Sequence, residues 1–354
     1  MKMIFRIVLI IFISITFSSI GFAVTKVGTT AAQFLKIGVG ARAIAMGGAF
    51  VAVANDVTGL YWNPAGIARL HRNEAILLHT EWLADVNFDY AGIAIHLGNA
   101  GTIGASITSV GMADMKVRTE LQPEGTGEFF AAGDIAGSIA YSRNLTDRFS
   151  IGFNAKYIHQ RIWHMSSSGF AIDVGTLFTT QFKDMKIGMS ISNFGTNMKM
   201  SGRDTRQFID INPDAEGSND KIPSHLQLDS WPLPLIFRVG VSIDPINNDK
   251  NRLTLALDAL HPNDNTERLN IGAEYCLRNT IFLRAGLKSV GFTMPSSGAK
   301  FGIMDPVTDS EEGLTLGAGV NLSFGGFATL KLDYAYAEFG RLNDVQRFSL
   351  SIQF

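Results

Sequence analysis

Seven histidines and one cysteine are the residues of this chain best suited to metal binding or nucleophilic chemistry. No His-Glu-x-x-His motif occurs and a single cysteine excludes Cys-x-x-Cys, so we expect neither a metal nor a cofactor. Cys276 lies in an alternating segment with no evident base beside it, which favours a packed thiol over a nucleophile. Gly-x-Ser-x-Gly is also missing. The sequence therefore predicts a protein that is not an enzyme.

Composition narrows the class of protein further. The formal net charge is −2, which removes the electrostatic basis for binding nucleic acid. Hydrophobic residues make up 46% of the chain, yet beyond the first 23 residues no window approaches the roughly 18 consecutive apolar residues of a spanning helix. A membrane β-barrel fits this combination, because its lipid-facing residues occupy only alternate positions of each strand.

The first 23 residues have the pattern of a secretory signal peptide. Lys2 and Arg6 supply a basic start, residues 7–17 are almost entirely apolar, and small residues near Ala23 suit signal peptidase. We expect cleavage after Ala23, so that the mature chain begins at Val24. The alternative is an uncleaved anchor helix, which needs about 20 apolar residues, and this stretch is shorter.

About fourteen segments after residue 73 alternate between apolar and polar residues, each close to the roughly ten residues that cross an outer membrane when tilted. Their approximate spans are 74–82, 88–98, 101–111, 134–145, 149–162, 168–182, 185–195, 234–246, 251–262, 268–279, 281–292, 313–324, 328–339 and 345–354. Tight turns, such as Asn99-Ala100 and Lys183-Asp184, fall at every second junction, and longer links lie between them. This sorting predicts an all-β fold: a transmembrane antiparallel β-barrel of about 14 strands over residues 74–354, in the bacterial outer membrane with its short turns in the periplasm.

Side-chain parity separates the two faces of these strands. In the segment 237–244, Val241 and its apolar neighbours oppose Arg238, Ser242 and Asp244. A Lys or Arg on the lipid face at mid-membrane costs roughly 2–4 kcal/mol, so we expect the charged face to line the lumen. Both signs of charge occur there, which leaves two alternatives open: a wide aqueous channel, or a lumen filled by a plug.

The last residue, Phe354, closes the final alternating segment. A terminal strand that ends on an aromatic residue is what an outer-membrane barrel presents to its insertion machinery. We therefore expect Phe354 to act as an assembly signal, with outer-membrane lipid and the insertion machinery as the first partners.

Residues 24–73 do not alternate and are rich in small and apolar residues interrupted by glycine. An apolar N-terminal segment of this length can bury its surface only in the mouth of the barrel, so we predict that it forms a hatch there. Its candidate ligand or hatch residues are Arg42, Gly47, Gly48, Asn63, Pro64 and Gly66.

Each hatch candidate has a structural and a functional interpretation. Arg42 would either pair with a lumen carboxylate, such as Glu274 or Asp258, or bind a ligand carboxylate. Asn63 and Pro64 can start a short helix, Asn as the cap and Pro in the first turn, which would fix the hatch to the wall; the alternative is a gate on a ligand path. The glycines are expected where two backbones approach closely.

Three blocks of the hatch carry a resemblance to a known family: Gly38 to Met46, Gly47 to Asp56, and Tyr61 to Gly66 with its Asn-Pro-Ala. They resemble the amino-terminal region of the PorV/PorQ family, which is itself similar to the FadL long-chain fatty-acid transporters. The sequence-specific part of the resemblance covers about residues 33–70, whereas the layout of precursor, hatch and fourteen strands covers the whole chain.

The resemblance implies two alternative functions. A PorV-type protein would assist protein export in a type IX secretion system, with exported proteins or secretion components as partners. A FadL-like protein would carry fatty acids or other hydrophobic small molecules. The longest predicted external loop, 196–233, contains Met198 and Trp231 among polar residues, and it is expected to form either a partner contact or a self-packed lid.

Overall fold

The computed structural model describes residues 28–212, 214, 221–291 and 312–354. The predicted signal peptide and its cleavage site lie outside the described residues. In the described part of the chain, no helix is both long enough and apolar enough to cross a membrane.

Fourteen antiparallel strands form the barrel wall. In chain order they are β1 Glu74–Glu81, β2 Asn87–His96, β3 Thr102–Gly111, β4 Ala132–Thr146, β5 Phe149–Ile162, β6 Met165–Thr179, β7 Lys186–Gly195, β8 Ile236–Asn247, β9 Asn251–Pro262, β10 Arg268–Leu277, β11 Ile281–Gly291, β12 Leu314–Phe324, β13 Ala328–Ala337 and β14 Val345–Gln353.

The barrel is closed. Each strand pairs with its neighbours in the sequence, and β1 pairs with β14 in a register that places Leu77 opposite Leu350. One further short strand, Ser201–Gly202, pairs with the first two residues of β6, Met165 and Ser166. The predicted fourteen-stranded antiparallel barrel is therefore confirmed, because pairing the first strand with the last leaves no free edge in the wall.

The two rims of the barrel differ as the loop pattern indicated. At one rim, the short-turn end, brief connections join β2 to β3, β4 to β5 and the later alternate pairs. At the other rim, the long-loop end, two small hairpins stand outside the wall: Met115–Lys116 with Phe129–Phe130, and Arg206–Ile209 with Ile222–His225.

Alternation along each strand sets which side chains face the lumen. On β8, Phe237 is 40% exposed on the outer face, whereas Arg238 is 3% exposed and turned inward. The lumen-facing charges Lys156, Glu274, Arg284 and Arg347 are buried in the same way. The lumen is therefore filled by a plug and is not a wide aqueous channel.

The filling is the amino-terminal segment, in short helical pieces: 3₁₀ turns at Gln33–Lys36 and Pro64–Arg69, and single α-helical turns at Ala41–Ala45 and Gly59–Trp62. The Ala31 amide donates to the Pro232 carbonyl at the long-loop end, 2.9 Å away. Asn144, near the short turn after β4, donates to the Ala68 carbonyl at 3.0 Å. The hatch therefore runs through the lumen from one rim to the other, and its small residues form the centre of the apolar core.

Candidate functional site

Glycines of the wall are the points at which the hatch backbone touches the barrel. A Cβ atom added to Gly286 would lie 2.2 Å from the Gly47 amide nitrogen, and one added to Gly272 would lie 2.4 Å from the Met46 carbonyl oxygen. Further wall glycines meet the hatch as closely: Gly152, Gly175, Gly188 and Gly317. Because no side chain intervenes, the lumen has room for a second layer of backbone.

Gly47 and Gly48 are glycines for two separate reasons. Both have left-handed backbone angles, with φ of 66° and 73°, which cost other residues about 1–2 kcal/mol. A Cβ at Gly47 would also lie 2.8 Å from the carbonyl oxygens of Ile271 and Leu287 in the wall. This turn is therefore where the hatch meets β10 and β11.

Arg42 is the charged centre of the contact. Its Nε and Nη2 donate to the two carboxylate oxygens of Glu274 at 2.8 and 2.9 Å, and its Nη1 donates to Asp56 at 2.8 Å. Glu274 also accepts from Arg284 Nε at 2.7 Å, and Arg284 Nη1 reaches Asp333 at 2.6 Å.

Of the two wall carboxylates considered for Arg42, Glu274 is the one that pairs with it. Burial lowers the pKa of Arg42, but the charges and hydrogen bonds of Glu274 and Asp56 outweigh burial and raise it, so Arg42 stays charged. Buried charges are tolerated when they pair and hydrogen-bond in this way.

Asp258, the other carboxylate considered, binds the hatch differently. Its Oδ2 accepts the backbone amides of Phe50 and Val51 at 2.7 and 2.8 Å. One carboxylate oxygen thus holds two successive backbone amides of the hatch, so Asp258 anchors the hatch backbone. Nothing in the sequence distinguished this role from that of any other lumen carboxylate.

Asn63 and Pro64 form a capped helix start, as their order suggested. The Asn63 Oδ1 accepts the Ala65 amide at 3.1 Å, and Pro64 opens the 3₁₀ turn. The Asn63 amide group donates to the carbonyls of Val51, in the hatch, and Thr176, in β6, at 2.8 and 3.0 Å. A Cβ at Gly66 would lie 2.3 Å from the Ala54 carbonyl oxygen. These contacts fix the hatch to itself and to the wall.

A second anchor lies at the long-loop end. Asp264, in the connection after β9, accepts hydrogen bonds from Thr30, Gln33 and Lys36 at 2.7, 2.8 and 2.9 Å. Burial raises the pKa of Asp264, but the hydrogen bonds and the Lys36 charge together lower it below its usual value. The sequence contained no signal for this site, since the partners lie more than 200 residues apart.

The long loop contributes both a lid and an exposed surface. Met198 and Leu233 are buried and pack against Phe34 and Leu35 of the hatch, whereas Trp231 is half-exposed. The lid alternative therefore describes Met198 and Leu233, and a partner contact at the exposed part of the loop stays a prediction.

Phe354 lies on the outer face beyond the end of β14, and its amide donates to the Asn73 carbonyl at 2.9 Å. It thus stands where the last strand meets the first.

Beneath the first hatch turn lies a small cavity. Phe34, Leu35 and Tyr61 bound it on the hatch side, and Tyr90 and Asn154 on the wall side. Its volume is about 20 Å³, enough for about one water molecule. Among the described residues, no group of three or more His, Cys, Asp or Glu side chains is placed to hold a metal ion.

Comparison with solved structures gives the same barrel. The CymD monoaromatic hydrocarbon channel has a TM-score of 0.54 at 12% identity, over 90% of this chain and 97% of that one. The Pseudomonas putida toluene transporter TodX has a TM-score of 0.53 at 12% identity, over 89% and 97%. At such identity the likeness shows the fold. No protein of curated function matches the sequence significantly.

Comparison with protein families identifies the family, which the fold alone does not. Residues 23–261 match the family described as type IX secretion system protein PorV. The matched range includes every hatch candidate and the barrel strands as far as β9, so the resemblance seen in residues 33–70 is confirmed over more than half of the chain. This chain belongs to the PorV family.

Proposed function

We propose that this protein lies in the bacterial outer membrane, with its long-loop end outside the cell, and serves type IX protein export as a non-enzymatic partner. The PorV family match over residues 23–261 carries this proposal. Exported proteins would contact the long-loop end, because two small hairpins of the described chain extend beyond the wall there.

The apolar surface of these hairpins supports a protein partner. Leu121, at the tip of the first hairpin, is 95% exposed, and Phe129 on the same hairpin is 55% exposed. Phe208, in the first strand of the second hairpin, and Ile211, in the connection between its strands, are exposed as well. Exposed apolar groups on a loop commonly mark an interaction site.

The filled lumen also favours a partner role over conduction. The cavity of about 20 Å³ below the first hatch turn holds about one water molecule, which is far too little for an apolar solute. The Glu274 network and the Asp258 contacts would have to open before anything could pass.

Solute transport is the second candidate. Two structural neighbours, a monoaromatic hydrocarbon channel and a toluene transporter, favour it. The apolar hatch face of Phe34, Leu35 and Tyr61 along the cavity favours it as well. It requires the hatch to move.

The two functions are separated by one pair of measurements on the purified barrel. Exported protein that co-purifies should be lost when Leu121 and Phe129 are both changed to Ser. The matched control is Phe327→Ser, which removes an aromatic side chain that is 74% exposed at the short-turn end, and it should retain the partner.

Hydrophobic ligands are tested on the same preparations. Saturable binding of toluene or a long-chain fatty acid by the wild type, with no protein partner retained, would replace the export proposal by the transport one. Equal partner loss in the Phe327→Ser control would show that the hairpins are not the contact.

A further inference from the structure

A row of aromatic rings crosses the lumen near the long-loop end. Trp62 and Tyr61 of the hatch meet edge to face, with ring centroids 5.0 Å apart. Tyr61 and Trp82 pack against the same apolar cluster, and Trp82 meets Phe339 at 5.3 Å. Tyr61 and Trp82 are only half-buried, so the row stays open towards the long-loop end.

Two arginines from well-separated parts of the wall converge on this row. The guanidinium carbon of Arg238, on β8, lies 5.6 Å from the Trp62 ring centroid and 5.7 Å from that of Tyr61. That of Arg347, on β14, lies 4.8 Å from the Trp82 ring centroid. Burial raises the pKa of Tyr61, and the positive charges of Arg238 and Arg347 act against that rise.

Neither arginine is neutralised by the described residues. Arg238 is 3% exposed and Arg347 1% exposed, yet neither forms an ion pair with a described carboxylate, unlike Arg42 and Arg284. Arg238 donates to the Ser192 hydroxyl and Arg347 to the Gly38 carbonyl. The Nε group of each is buried without a hydrogen-bond partner.

The carboxylates near the two arginines form their hydrogen bonds and ion pairs with other groups. Asp258 binds the amides of Phe50 and Val51, and Glu312 pairs with Lys288 and Arg268. The contacts with aromatic rings offset only part of the free-energy cost of burying a charge that has no ion-pair partner. The remaining deficit is what a bound anion would remove, since it would accept from the free N–H groups.

The geometry points to an oxyanion site at the long-loop end of the lumen, where a carboxylate or phosphate group is held by Arg238 and Arg347 beside Tyr61. The planar guanidinium presents paired donors that match such groups. The ligand enters from the long-loop end, where Tyr61 and Trp82 are accessible. This site is independent of the export proposal, because it needs no protein partner.

The test uses the full-length barrel in lipid nanodiscs and follows its tryptophan fluorescence, to which Trp62 and Trp82 of the aromatic row contribute together with Trp163 and Trp231. Inorganic phosphate, acetate and octanoate are titrated at constant ionic strength against chloride. We expect a saturable change with the wild type. Arg238→Gln and Arg347→Gln should each weaken the apparent affinity by about tenfold or more, the effect of losing charge-assisted hydrogen bonds.

Arg148→Gln is the matched control, since Arg148 is an exposed arginine at the short-turn end, and it should leave the titration unchanged. Folding is checked by heat-modifiable migration on gels. If a Gln variant does not fold, Arg238→Lys and Arg347→Lys replace it and should weaken binding less, because they keep the charge and lose only the planar fork.

The three probes identify the source of the oxyanion. Comparable binding of phosphate and acetate assigns the site to free small oxyanions, and much tighter binding of octanoate assigns it to the head group of an amphiphile. A wild type that shows no saturable response to any probe, or a double variant that responds as the wild type does, would overturn the proposal and leave the arginines as packing for the aromatic row.

Discussion

Replacing Glu274 by Gln should release the hatch from the wall more effectively than any other change of similar size. The substitution keeps the shape of the side chain and removes only its charge. Three charge-assisted hydrogen bonds of 2.7–2.9 Å to Arg42 and Arg284 depend on that charge. At about 1.5–3 kcal/mol each, their sum is an upper bound near 9 kcal/mol.

The net loss should be smaller, because Arg42 keeps Asp56 and Arg284 keeps Asp333. Breaking one side of a buried ion pair typically costs about 3–5 kcal/mol, and we expect a loss of free energy of unfolding in that range. Glu267→Gln is the control: its carboxylate is exposed and pairs with His261 at 3.1 Å, so the loss should stay below about 1 kcal/mol.

Two assays report the result. Urea unfolding in lipid vesicles gives the free energy, and maleimide labelling of Ala45→Cys in a Cys276→Ser background reports whether the hatch has left the lumen, since Ala45 is fully buried. Labelling should accelerate in the Glu274→Gln variant at urea concentrations that leave the wall folded. Equal stability and equal labelling for Glu274→Gln and Glu267→Gln would refute the claim that this network holds the hatch.

Three further changes probe other contacts. Gly286→Ala inserts a methyl group against the hatch backbone, 2.2 Å from the Gly47 nitrogen, and this overpacking should cost about 1–3 kcal/mol of folding free energy. The control is Gly137→Ala, which has open space around it and should be neutral. Similar urea midpoints for the two variants would contradict the close approach of hatch and wall. Deleting Phe354 should lower the heat-modifiable fraction in outer-membrane preparations, and wild-type levels would argue against an assembly role. Because folding lowers the pKa of Asp264, its contribution to the free energy of unfolding should be complete above the unfolded-state pKa of about 4 and be lost as the pH falls through the folded-state pKa. Asp264→Asn should therefore be less stable than the wild type at pH 7 and lose less stability on acidification. Identical pH profiles of stability for the two proteins would count against this anchor.

The structure shows that an inward-facing polar position of the wall can lack space for a larger side chain. Ser242 faces inward, as its parity predicted, but it is buried, and its hydroxyl lies 3.4 Å from the Ala52 carbonyl oxygen of the hatch. A Ser242→Arg variant would therefore displace the hatch, although an arginine at an inward position of an empty barrel would be tolerated. The face of a residue follows from alternation, whereas its free space depends on what fills the lumen.

The amino-acid sequence by itself determined the wall of this protein. Strand period, turn spacing and the inward parity of residues such as Arg238 and Glu274 are local properties, because a strand places alternate side chains on opposite faces whatever its neighbours are. The helix start at Asn63 and Pro64 is local in the same sense. The family resemblance also rested on a short continuous stretch of the hatch.

Only the tertiary structure decided which groups meet. Glu274 was one of two carboxylates open to Arg42, and the choice depended on where Gly47 lets the hatch approach β10 and β11. Asp264 binds residues more than 200 positions away. Arg238 and Arg347 come from separated strands, so their shared aromatic row arises only when the barrel closes around the hatch. Contacts between distant segments are set by closure and packing, which no local pattern encodes.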